Sequence, residues 1–166
     1  MNLSHVLFSP NGRIGQQEYW IGVLILIAGN VVTGIVPSIG GLLWLGLVWV
    51  GIAVFGKRLH DGGKTAWLHV IPWAITSVLA ISALSIVGVG VVQLVLDAAQ
   101  NDRPSTASIA AMIAAGGFSL LLFSVAMLVW AGYTIWVGLL KGDASENQYG
   151  PVPLSPEAQA SPDTAL

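Results

Sequence analysis

Four long apolar stretches, with no ionisable residue in the middle of any, constrain this chain more than any other feature. They run from Tyr19 to Val36, from Ile39 to Gly56, from Trp67 to about Val95, and from about Ile109 to Leu140. A bilayer's hydrocarbon core is about 30 Å thick, so a spanning helix needs about 20 mainly apolar residues. The first two stretches sit near the short end of that range. The last two exceed it, which predicts an interfacial turn or a tilt in each. Pro72 stands near the start of the third stretch, where proline costs a helix least. In lipid each backbone N–H and C=O must be paired within its own segment or in a closed barrel. Leu42–Leu47 and Leu120–Phe123 lack the alternation of barrel strands. The expected fold is an all-α membrane protein, with four transmembrane helices in a bundle.

Composition supports this. Charged residues make up 8% of the 166, against about 25% in soluble domains. Hydrophobic residues make up 55%, which excludes both a soluble single-core domain and intrinsic disorder. The absence of cysteine removes disulfides, thiolate nucleophiles, zinc–thiolate sites and iron–sulfur clusters. A net charge of −2 with no basic block disfavours a nucleic-acid partner. Met1 to Glu18 carries Arg13, Glu18, Pro10 and two glycines before the apolar run begins. That order is unlike a cleaved signal peptide, so the first stretch reads as a retained anchor.

The connections differ in kind. Pro37-Ser38 is a tight uncharged turn, Lys57 to Ala66 is polar and dense in charge, and Asp97 to Ser108 is polar around Arg103-Pro104. This gives a single four-helix membrane domain over residues 1–150. Residues 151–166, rich in Pro, Ala and Ser, form a tail expected to be disordered. With four spans, Arg13, Lys57, Arg58, Lys64 and Lys141 share one side, and Arg103 alone lies on the other. Lysine and arginine near span ends accumulate on the cytoplasmic side, so both termini are expected there. Tyr19, Trp20, Trp67 and Trp136 fall at that interface, whereas Trp44 and Trp49 fall deeper. Gly41, Gly46, Gly51 and Gly56 recur every five residues and spiral around their helix, suggesting close packing on more than one side.

Three polar clusters land on the predicted cytoplasmic surface. They are Phe8-Ser-Pro-Asn-Gly-Arg-Ile-Gly-Gln-Gln-Glu-Tyr-Trp20, Lys57-Arg-Leu-His-Asp-Gly-Gly-Lys-Thr-Ala-Trp67, and Asn147-Gln-Tyr-Gly-Pro151. Their order around four spans resembles the DUF805 family of small bacterial inner-membrane proteins, whose function is not established. The resemblance rests on Gly12, Arg13, Tyr19 and Trp20, on Arg58, Leu59, His60, Asp61, Gly63 and Trp67, and on Asn147, Tyr149 and Gly150. It implies placement in the bacterial cytoplasmic membrane. The chain departs from the family pattern at Gln16, Lys57, Lys64 and Gln148, where arginine is usual. Lysine keeps the charge but loses the planar fork that grips a carboxylate or phosphate through two bonds.

Arg13, Glu18, Tyr19, Trp20, Arg58, His60, Asp61, Lys64, Trp67, Asn147 and Tyr149 are the candidate residues of a cytoplasmic cap, serving as an interaction or organising surface. Arg13 with Asp61 and Glu18 with Arg58 are the expected ion pairs; at an interface such pairs fix helix register more than they add stability. His60-Asp61 suits proton transfer, yet adjacent helical residues point in different directions. The structural alternative places Lys57, Arg58 and His60 at a helix C-terminus, where positive charge is favoured, with Asp61-Gly62-Gly63 as the turn. His60, Asp61 and His69 lack metal-ligand spacing. No catalytic residue, metal or cofactor is assigned. The leading reading is non-enzymatic: association with a membrane partner or with itself, in contact with the lipid bilayer. A small transporter or channel is the alternative, resting on Thr76, Ser77, Ser82, Ser85 and Gln93 along the third stretch. A membrane enzyme using His60 and Asp61 stands third.

Overall fold

The computed structural model describes residues 2–153, and of Pro37 and Ser38 only the backbone. Apart from its first three residues, the tail expected to be disordered lies outside the described residues. The elements are α1 (Leu3–Phe8), α2 (Gln16–Ile35), α3 (Pro37–Asp61), a 3-10 turn (Ala66–His69), α4 (Val70–Asn101) and α5 (Thr106–Leu139). The protein is all-α. Four helical segments are long and apolar enough to cross a membrane: Gln16–Ile35, Ile39–Asp61, Ala66–Asn101 and Thr106–Leu139. This is a multi-pass membrane protein. The described residues fall into two compact units, the first drawn from Met1–His69 and Thr134–Leu166, the second from Val70–Tyr133.

In the first unit α2 and α3 form an antiparallel hairpin. Pro37 opens α3, a position where its missing N–H is not needed. Close approach depends on glycines of α2. A Cβ on Gly22 would come within 2.8 Å of Val54, and one on Gly29 within 2.6 Å of Leu47. These two glycines are one heptad apart and share a face. Gly41, Gly46 and Gly51 of α3, expected to pack closely, have no described atom within 4 Å of where a Cβ would stand. Only Gly56 of that series meets a neighbour, Ala66. Apart from Gly40, whose Cβ would come within 2.6 Å of the Thr33 carbonyl, the small residues that admit the partner helix lie on α2.

Helix α3 runs five residues past its apolar stretch, so Lys57, Arg58, Leu59, His60 and Asp61 are helical and not part of the connection. Its end is a Schellman motif: the Gly63 N–H reaches the His60 carbonyl at 3.0 Å and the Lys64 N–H reaches the Leu59 carbonyl at 2.9 Å. Gly63 has φ +67°, the left-handed conformation this cap needs.

The second unit is also an antiparallel pair, α4 with the greater part of α5. Ser119 Oγ donates to the Ala83 carbonyl at 3.0 Å, Gly90 faces Met112 and Ala115, and Trp73 meets Trp130 edge-on at 5.5 Å. Asp97 closes the connection, accepting from the Ser105 N–H at 2.6 Å, the Ser108 hydroxyl at 2.8 Å and the Asn101 amide at 3.0 Å. Of the polar stripe on α4, Thr76 bonds its own helix through the Pro72 carbonyl at 2.7 Å. Ser85 and Gln93 line an open groove of about 360 Å³ shared with Ile86, Val89, Gly90, Ala111 and Ala115. That lining is chiefly apolar and holds no charged residue.

Candidate functional site

The site is built from three segments of the first unit: the loop before α2, the last turns of α3, and the chain after α5. Arg13, Arg58 and Asp61 meet in its interior and are 7%, 3% and 4% exposed. The Arg13 guanidinium donates to Asp61 Oδ1 from Nε at 3.1 Å and from Nη2 at 3.0 Å. Its other donors reach backbone carbonyls of the third segment: Asp143 at 2.6 Å, Ser145 at 2.8 Å and Gly150 at 3.3 Å. All five N–H groups of Arg13 are thus engaged. Arg58 donates from Nη1 to Asp61 Oδ2, the other carboxylate oxygen, and from Nη2 to the carbonyls of Gly138 and Leu140. It therefore caps the C-terminal end of α5, where open carbonyls and the helix dipole favour a cation.

Asp61 stands at the last position of α3, where a negative charge opposes the dipole. Two guanidiniums, one on each oxygen, overcome this. A buried ion pair contributes little unless its remaining lone pairs and protons are bonded. Here that condition is nearly met: among the described residues only Arg58 Nε is a buried side-chain nitrogen without a partner. Gly142 presses on the carboxylate so closely that a Cβ there would overlap Asp61.

A second layer covers the triad. Asn147 donates to the His60 carbonyl at 3.0 Å and to Asp143 Oδ2 at 2.7 Å, and its own side-chain oxygen accepts from the Tyr149 N–H at 2.9 Å. Asn147 and Gly150 exchange backbone bonds across a tight turn whose Gly150 has φ +128°. The Tyr149 ring stacks on the His60 imidazole at 3.8 Å between centroids and 6° between planes. His60 Nδ1 lies 3.2 Å from the Gly12 carbonyl. A carbonyl only accepts, so this contact requires the proton on Nδ1.

Of the expected residues, Arg13, Arg58, His60, Asp61, Asn147 and Tyr149 come together. The Arg13–Asp61 pair is present as the charge inventory suggests. The Glu18–Arg58 pair is not: Glu18 accepts from the Gly15 N–H at 3.2 Å, capping its own helix, and Arg58 turns to Asp61. Asp61 is three residues from Arg58 on one helix face, closer than any residue of another segment need be. Tyr19 supports the cluster from below, fully buried, with its hydroxyl on the Thr134 carbonyl at 2.9 Å and its ring edge-on to Phe55 at 5.3 Å. The Trp20 ring lies so close to Gly138 that it leaves no room for a Cβ. Lys64 joins only through its backbone, as part of the α3 cap, and Trp67 points away, 79% exposed. Gly142, Asp143 and Gly138 are parts of the arrangement that residue type alone did not mark: the glycines act through backbone or small size, and Asp143 through its carbonyl and its carboxylate. Lys57 is fully buried and donates to the carbonyls of His5 and Val6 in α1. Among the described residues no group of three or more His, Cys, Asp or Glu is placed to hold a metal ion.

Comparison with known proteins follows the same segments. A family model described as a protein of unknown function, DUF805, matches residues 7–151, which include all three parts of the cluster. Two relatives are each called uncharacterized protein YiiR, one from Escherichia coli strain K12 and one from Escherichia coli O157:H7. Each is 35% identical over 85 residues, covering 44% of this chain and 57% of the relative. The chain thus matches little more than half the length of these curated relatives. No solved structure matches it.

Proposed function

The chain belongs to the DUF805 family of proteins of unknown function, and from that membership and the cluster's geometry we propose a non-enzymatic protein of the bacterial cytoplasmic membrane that acts by association with a membrane partner or with itself. The saturation of the Arg13–Asp61–Arg58 triad carries this reading. Both carboxylate oxygens and every Arg13 donor are already used inside the chain, so these groups organise the fold and are closed to substrate. The interaction surface is then the outer rim that the triad holds in place. Lys141, Ser145, Glu146 and Gln148 are exposed along the strap whose carbonyls face Arg13. Lysine and arginine asymmetry supports a cytoplasmic position for this rim, with five basic residues on its side and Arg103 alone on the other.

The test is extraction into lipid nanodiscs with identification of what co-purifies in fixed stoichiometry. A partner or second copy retained by the wild type and lost from a Lys141→Ser, Glu146→Ser, Gln148→Ala variant of unchanged stability supports the reading. Identical retention by that variant contradicts it.

A membrane enzyme is the second reading, favoured by one observation. The Gly12 carbonyl fixes the proton on His60 Nδ1, which leaves Nε2 as the basic nitrogen of the neutral ring. His60→Ala abolishing a cellular phenotype at unchanged protein abundance would favour that reading over the first.

A further inference from the structure

We propose that α1 is a fifth membrane-embedded segment: a short helix that dips into the leaflet on the cluster's side and rests its Leu3 and Phe8 side chains against lipid acyl chains. The placement comes from which residues of α3 hold it. The Phe8 carbonyl accepts from Trp49 Nε1 at 3.0 Å. The carbonyls of His5 and Val6 accept from Lys57 Nζ. The chain then climbs back, so that Gly12 meets His60 and Arg13 meets Asp61 at the very end of α3. Trp49 lies seven residues before Gly56, where the apolar run of α3 ends, which is about 10 Å of helix rise. Residues 2–13 thus descend beside the apolar part of a spanning helix and return.

The way α1 ends fits that depth. A helix leaves its last four carbonyls open, and at a wet surface water satisfies them. In hydrocarbon they need a protein donor. In a six-residue helix these are the carbonyls of His5, Val6, Leu7 and Phe8, and three of the four are held by side chains of α3. Lys57 commits a fully buried ammonium to this end and forms no ion pair among the described residues. Val6 faces the protein at 1% exposure, while Leu3 and Phe8 point outward at 47% and 59%. Asn2, Ser4 and His5 are exposed as well, so the outer side is mixed, apolar at Leu3 and Phe8 and polar beside them. At this depth acyl chains suit Leu3 and Phe8 and headgroups suit the polar neighbours, which is the placement of an interfacial helix. The occupant is therefore lipid.

This inference rests on α3 crossing the bilayer, and the experiment separates the two. The chain has no cysteine, so single spin labels can be placed directly. Phe8→Cys and Leu3→Cys are compared in phosphatidylethanolamine–phosphatidylglycerol vesicles with Leu45→Cys, exposed in mid-span, and Lys141→Cys, exposed outside it. Labels at Phe8 and Leu3 should collide with oxygen and lose collisions with a water-soluble nickel chelate, as at Leu45. Nickel access at Phe8 and Leu3 equal to that at Lys141, with Leu45 protected, overturns the embedding of α1 alone. Nickel access at Leu45 as well overturns the span and the inference with it. Adding Lys57→Met to Phe8→Cys should restore nickel collisions at Phe8 and leave Leu45 protected. A Phe8 label unmoved by that change overturns the role given to Lys57.

Discussion

Replacing Asp61 with asparagine leaves two guanidiniums buried at 7% and 3% exposure without their shared anion. Breaking a buried ion pair from one side costs about 3–5 kcal/mol. Asp61→Asn is therefore expected to lower unfolding stability in lipid or mild detergent by that order, while the chain still inserts. Arg13→Lys should do similar damage despite keeping the charge, because a lysine cannot span one carboxylate and three carbonyls in a single plane. Its signature is early proteolytic cleavage within 143–150, with the remaining cleavage pattern unchanged. Glu18→Ala separates two accounts of one residue. As a helix cap Glu18 contributes about 1 kcal/mol and acts independently of Arg58. Additive losses in Glu18→Ala, Arg58→Ala and the double variant are the expected result, and coupling between them would restore the pairing that charge counting suggests.

At the scale of elements, glycine positions set what the helices can do. Gly63→Ala forces a side chain into φ +67° and brings its Cβ to 2.9 Å from the Asp143 carboxylate. A loss of about 1–2 kcal/mol is expected from the backbone alone, read as a lowered unfolding midpoint. Gly22→Leu should separate α2 from α3 at Val54, whereas Gly46→Leu meets open space among the described residues and should leave the folded monomer's stability unchanged. The contrast shows where the sequence is legible and where it is not. The four spans are plain from hydropathy because a lipid environment enforces length and apolarity. Arg13 and Asp61 can be paired because so few charges share a side. Glu18 misleads because a capping contact is local and a three-residue reach competes with any distant arginine. Asn147 and Tyr149 of the strap after α5 are legible as a polar motif, whereas its carbonyls on Arg13 and the docking of helix α1 stay hidden, because backbone carbonyls are carried by every residue and announced by no residue type.

Polar chemistry gathers at the helix ends, in the triad of the first unit and around Asp97 in the second, and the long helices that carry the chain through lipid are apolar along their length. The triad joins three segments that are distant in sequence: the loop before α2, the end of α3 and the chain after α5. That makes it a clamp on the helix ends. The most direct measurement is a double-mutant cycle on Arg13→Ala and Asp61→Ala, by reversible unfolding of the reconstituted protein. If the clamp holds these segments together, the double variant is far less destabilised than the sum of the singles, with a coupling of about 1–3 kcal/mol. Additive losses would show that the two side chains act apart, and the clamp would be contradicted.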